Sequence, residues 1–270
     1  MISIIICSTK SNINDILHKN IKDTIGIPYE LIIIDNTNNN YSIFSAYNEG
    51  VKRSKFPYLC FIHEDIIFRT DNWGYLIHKA FESDQQIGMI GVIGSTMIFD
   101  MSWGWWTGPK VGKIIQSNKS QKVTSTFIKC IDENPNLLDA AICDGLFLSF
   151  PKSVFSKICF DEQTYKGFHG YDMDISMQIL TAKYKIKVIE NVLIEHYSWG
   201  NINESFINAC YKFYCKWKIY LPISSSNISE EELNKCQEVY LKDIIRICPE
   251  NDILKSKKWK IFKWFSNKFC

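Results

Sequence analysis

No run of apolar residues in this chain approaches the roughly 20 that a membrane-spanning helix needs, so no bilayer span is expected. The amino terminus lacks the basic start and the length of an export signal: Met1 to Cys7 is a short, mostly β-branched stretch. The ten cysteines show no paired metal-ligand spacing. Free thiols in a reducing cytoplasm are therefore the expectation. Charge of one sign is not in excess either, and a net charge of +2 does not describe a nucleic-acid binder. Internal repeats and long low-complexity segments are missing as well.

What remains is enough for a real core. The chain has 270 residues, 46% of them apolar and 22% charged, which suits one large domain or a domain with a small appendage. The charge is unevenly spread. Residues 253–270 hold six lysines and no acid, so the first 252 residues carry a net charge of −4.

Three apolar runs dominate the first third. Ile2 to Cys7, Tyr29 to Asp35 and Tyr58 to Ile62 have no polar alternation, the pattern of strands buried on both faces of a parallel sheet. Between them, residues 12–25 and 42–54 read as helices, giving β-α-β-α-β with crossovers of the length that parallel strands need. The third run goes straight into His63-Glu-Asp65. Polar groups at the carboxyl end of such a strand lie where open α/β sheets bind ligands. Further on, residues 72–83 read as a helix and 88–94 as a strand. Residues 101–108, with Trp103, Trp105 and Trp106 among glycines, read either as a loop plugging the core or, the preferred reading, as a flexible flap with rings to offer a ligand. A hairpin strand is expected at 123–130, an apolar stretch interrupted by Asp144-Gly145 at 137–150, and a helix from Pro151. A helix follows from the 167–174 segment to about 184, a strand over 186–194, and helices over 203–220 and 229–247.

Five segments then resemble the ordered landmarks of family 2-like glycosyltransferases with the GT-A fold. They are Ile4-Ile-Ile-Cys-Ser-Thr9, Glu30-Leu-Ile-Ile-Ile-Asp35, Ala46-Tyr-Asn-Glu-Gly50, Phe61-Ile-His-Glu-Asp65 and Gly170-Tyr-Asp-Met-Asp174, with His196 behind them. The resemblance implies an α/β GT-A domain over 1–220, with a Rossmann-like, mainly parallel central sheet flanked by helices. Residues 221–270 would form a small helical extension ending in a basic aromatic tail.

The same resemblance implies site residues. Asp35, with Thr9 and Asn48, would hold the donor nucleotide. An acidic side chain at a strand end can accept a hydrogen from a base, or it can simply cap the next turn. His63-Glu-Asp65 stands where the family has Asp-x-Asp. This leaves Asp65 as a ligand for Mn²⁺ or Mg²⁺, with His196 completing the set and His63 either a third ligand or a core histidine. Asp172 would be the general base of an inverting transfer, or else, with Asp174, an acid that favours the helix N-terminus. Tyr171 departs from the acid usual at its position. Asp144, Gly145, Trp105, Trp106 and Asp174 would contact sugar or acceptor.

The implied partners are a nucleotide-sugar donor and a saccharide or lipid-linked saccharide acceptor, without nucleic acid. The tail at 253–270 either contacts an anionic membrane surface at the inner face or docks on the domain. Two rivals stand beside this reading. A sugar nucleotidyltransferase would need a glycine-rich loop after the first strand, and Ser8 to Asn12 has no glycine. A degenerate nucleotide-sugar-binding module is the other, and His63 in place of an acid is its support.

Overall fold

The computed structural model describes residues 1–247, apart from 12, 101, 118–133, 199, 201 and 227. The hairpin strand expected at 123–130 and the basic tail at 253–270 lie outside the described residues. The three apolar runs become parallel strands β1 (Ile2–Ser8), β2 (Tyr29–Asp35) and β3 (Tyr58–Ile62), linked by α1 (Asp15–Thr24) and α2 (Ile43–Arg53). Asn14 and Ser42 cap the two helices by accepting from backbone N–H groups in the first turn.

The chain continues through β4 (Ile66–Phe68), α3 (Trp73–Ser83), β5 (Ile87–Gly91), β6 (Ile93–Ser95) and β7 (Met97–Ile98). A 3-10 turn (Trp105–Thr107), β8 (Lys110–Gly112) and β9 (Ile115–Gln116) come next. They are followed by β10 (Leu137–Ala140), β11 (Ile142–Cys143), β12 (Phe147–Pro151) and a 3-10 turn at Lys152–Ser156. The last elements are α4 (Tyr171–Thr181), β13 (Lys185–Ile189), β14 (Ile194–His196), α5 (Glu204–Trp217), β15 (Ile223–Ser224) and α6 (Glu230–Ile247).

The central sheet has seven strands in the order β10-β13-β5-β12-β3-β1-β2. Neighbours are parallel except at β12, antiparallel to both β3 and β5, and at the edge, where β10 runs against β13. Alternation along β1 sends Ile2, Ile4 and Ile6 to one face, where they meet Leu17 and Ile21 of α1 and Trp73 and Leu76 of α3. Ile5 points the other way, toward Phe44 and Tyr47 of α2 and Ile175 of α4. Each such side chain taken fully out of water stabilises the fold by about 1.5 to 3 kcal/mol.

A third cluster joins Ile98, Phe99 and Trp103 to Ile207, Phe213 and Trp217 of α5. Leu233 and Cys236 of α6 pack against it, and β15 pairs with β7, so residues beyond 220 are attached to the domain.

A small sheet, β4-β14-β9, stands beyond the carboxyl end of β3. Asn20 of α1 satisfies the backbone of β4 at both groups of Phe68: its amide donates to the carbonyl at 3.0 Å and accepts from the N–H at 2.8 Å. Buried Arg69, just after β4, pairs with Glu195 of β14. Ser117 adds a hydroxyl donor to Glu195 at 2.5 Å. These contacts fix β14 against β4.

Four expectations are corrected here. The strand read over 186–194 is two strands, β13 and β14, which belong to different sheets. The helix read from Pro151 is a 3-10 turn of five residues. The interrupted stretch at 137–150 is three strands, of which only β10 and β12 join the central sheet. The tryptophan flap is a packed loop: Trp103 is 3% exposed, and Thr107 ties the turn by donating from Oγ1 to the Gly104 carbonyl at 2.6 Å.

Candidate functional site

His63, Glu64 and Asp65 occupy the turn between β3 and β4, and β14 brings His196 alongside. The register pairs His196 with Ile66, and the Tyr197 N–H donates to the Asp65 carbonyl at 3.0 Å. As a result Asp65 Oδ1 lies 3.5 Å from His196 Nε2 and 4.0 Å from His63 Nδ1. Ligand atoms held about 2.1 Å from one ion are spaced roughly 3 to 4 Å apart. Two imidazoles and one carboxylate are a donor set that suits Mn²⁺ better than Mg²⁺.

The electrostatics suit cation binding. Burial raises the Asp65 carboxyl, but the hydrogen bond from His196 and the two imidazole charges outweigh it and hold the group well below the usual carboxylate range. Burial and the charge of His196 push His63 down, against the pull of Asp144, Asp65 and Glu64. A neutral imidazole keeps a lone pair for a metal.

Asp172 sits in the first turn of α4, which Gly170 enters at φ 89°, a conformation that favours glycine. Burial, then the nearby Asp144 charge, raises its carboxyl to about 7, while backbone N–H groups of Met173, Asp172 and Gly145 pull the other way. A carboxyl poised there is matched to taking a proton near neutral pH. Asp144 acts electrostatically on both His63 and Asp172, so the turn before β12 lies near both the cation cluster and the raised acid.

The strand ends on the far side carry the other residues. Ser8 pairs in register with Asp35. Exposed Asp35 accepts from the Thr37 N–H at 2.9 Å, and that bond keeps its carboxyl below the ordinary value. Thr9 donates from Oγ1 to Glu64 at 2.6 Å, and Ser8 does so at 2.5 Å.

His63, Asp65, His196, Asp144, Gly145 and Asp172 therefore come together, and Glu64 ties Thr9 to the same region. Asn48 does not join them. Its amide is consumed in clamping α2 to residues 160–162, donating to the Phe160 carbonyl at 2.8 Å and accepting from the Phe160 N–H at 3.1 Å. Asp174 does not join them either. It is fully buried and accepts from Trp217 Nε1 at 2.8 Å and Gln178 Nε2 at 2.7 Å, with Lys216 Nζ within 2.8 Å. Trp105 and Trp106 are half-buried and pack on the third cluster.

Two residues escaped the reading by motif. Phe168 is 52% exposed with its ring centroid 5.8 Å from that of His63. Tyr171 places its hydroxyl 2.6 Å from His63 Nε2. Only the departure at Tyr171 gave any signal in the sequence. Among the described residues no helix is long and apolar enough to cross a membrane.

Structural comparison gives the fold. The chain is similar to a crystal structure of GalNAc-T7 with UDP, GalNAc and Mn²⁺, with a TM-score of 0.53 and 13% identity over 88% of this chain. It spans 54% of that chain's length, and the likeness is that of the GT-A fold. A crystal structure of A197 from STIV aligns with a TM-score of 0.41 and 11% identity, covering 73% of this chain and 86% of that one. No curated protein sequence matches. A family model described as "Glycosyltransferase like family" matches residues 3–220, and the chain belongs to that family.

Proposed function

We propose that this protein is an inverting, metal-assisted hexosyltransferase that moves a sugar from a nucleoside-diphosphate sugar to a hydroxyl of a saccharide or lipid-linked saccharide. The observation that carries the reading is the raised carboxyl of Asp172 beside the His63, Asp65 and His196 cluster at the carboxyl end of β3.

In this reading Asp172 removes the proton from the acceptor hydroxyl. The acceptor oxygen forms its bond to the anomeric carbon from the side opposite the diphosphate, and the bond from that carbon to the diphosphate breaks. Asp65 and His196, with His63, would hold Mn²⁺. When bound, a divalent cation supplies Lewis-acid stabilisation of charge on the diphosphate.

Asp35 and Thr9 hold the nucleotide at the ends of β2 and β1, and Asp144 and Gly145 face the sugar. The division into a domain at 1–220 and an extension at 221–270 belongs to the same proposal. So do a cytoplasmic location and contact of residues 253–270 with an anionic membrane surface that carries the acceptor.

Thermal denaturation against a panel of nucleotide-sugars, with and without Mn²⁺, tests the reading, because a bound ligand stabilises by mass action. A rise in melting temperature that needs both Mn²⁺ and one nucleotide-sugar class is expected. If no nucleotide-sugar produces a Mn²⁺-dependent rise, the reading fails.

A further inference from the structure

Tyr171 opens α4 and is 4% exposed. Its hydroxyl lies 2.6 Å from His63 Nε2, and the buried ring of Tyr47 on α2 packs edge-on against its own with centroids 5.6 Å apart. The room for that hydroxyl is made by Gly145, where any Cβ would stand 2.1 Å from Tyr171 Oη. Tyr171 is thus held between α2, through the Tyr47 ring, and the turn before β12, through Gly145.

The proton arrangement follows from what a metal donor needs, a ring nitrogen that faces the cluster without a proton. Were Tyr171 to donate to Nε2, the ring proton of a neutral His63 would sit on Nδ1. The nearest carboxylate oxygen there, Asp65 Oδ1, is 4.0 Å away, beyond hydrogen-bond reach. With the proton on Nε2, His63 donates to the Tyr171 hydroxyl oxygen at 2.6 Å, and the nitrogen on the side of the cluster keeps its lone pair. Nδ1 is then bare and faces Asp65 and His196.

We propose that Tyr171 is a positioning residue that fixes His63 as its Nε2–H tautomer and so presents Nδ1 as a ready-made metal donor. The inference rests on the metal-assisted reading above and adds to it what orients the third ligand. It also accounts for two departures from the resemblance at once: the histidine standing for an acid and the tyrosine standing for another are bonded to each other.

Two measurements test it. Mn²⁺ titration followed by electron paramagnetic resonance compares the wild type with Tyr171→Phe and Asp65→Asn. Loss of an outer hydrogen bond to a metal-binding histidine lowers metal affinity about 10 to 100-fold, and that drop is expected for Tyr171→Phe. If Tyr171→Phe binds as the wild type does while Asp65→Asn is weakened, the role of Tyr171 is overturned and the metal site stands. If Asp65→Asn and the wild type bind alike, the metal site itself falls, and this inference with it.

Nitrogen-15 shifts of the metal-free wild type decide the tautomer without any variant, which covers the case in which Tyr171→Phe fails to fold. A protonated Nε2 and a bare Nδ1 at His63 are expected. A protonated Nδ1 overturns the inference.

Discussion

His196 faces Asp65 across the β4 and β14 ladder, Nε2 to Oδ1 at 3.5 Å, although 131 positions separate them in the chain. The pair exists because β14 is held to β4 by backbone bonds and by the buried pair of Arg69, just after β4, with Glu195 in β14.

That ion pair should therefore be structural in the first instance. Arg69 and Glu195 are 3% and 11% exposed at their side chains. Removing one partner of a buried pair leaves an uncompensated charge and costs roughly 3 to 5 kcal/mol. Denaturant unfolding of Arg69→Met should show a loss of that order. The double variant Arg69→Met with Glu195→Leu should recover much of it. A single variant as stable as the wild type would contradict the account.

Asp172 should make stability and turnover depend on pH in opposite directions. Its folded value, about 7, lies above the reference 3.8. The folded state therefore binds more protons between those values, and the contribution present below pH 3.8 is lost as pH rises through about 7. Relative to Asp172→Asn, the wild type should lose at most about 1.4 kcal/mol per pH unit across that window. Transfer, which needs the carboxylate, should rise through the same region and level off above it. Thermal melts and rate profiles from pH 5 to 9, in steps of about 0.5, check both.

Asp174 should behave unlike its neighbour two positions away. Its carboxylate meets Lys216, Trp217 and Gln178 inside the protein. Asp174→Ala should lower stability by about 1 to 3 kcal/mol, because the buried Trp217 Nε1 loses its acceptor while Lys216 keeps Asp161 at 2.7 Å. At a temperature where the variant is folded, its acceptor KM should stay within about threefold of the wild type. A large KM increase without loss of stability would return Asp174 to the sugar site.

The contrast between Asp172 and Asp174 shows where sequence reasoning stops. Both acids follow Gly170 in one motif, and spacing does not say which of them turns toward α5 and which toward the Asp144 turn. The same holds for Asn48, whose partners at Phe160 and Glu162 lie more than a hundred residues away. Strands β1, β2 and β3 were legible because burial on both faces of a parallel sheet leaves an uninterrupted apolar run. β12 is just as buried, yet its antiparallel direction leaves no mark on composition. The gathering of His63, Asp65 and His196 was expected from resemblance. The bond from Tyr171 to His63 spans 108 positions and could be seen only in the fold.

The most direct test is transfer by Asp172→Asn in the presence of Mn²⁺, with donor binding measured on the same sample. The account predicts that the variant binds the nucleotide-sugar as the wild type does and loses transfer by at least about 100-fold, the low end of what a general base contributes. Transfer by the variant at the wild-type rate would contradict it.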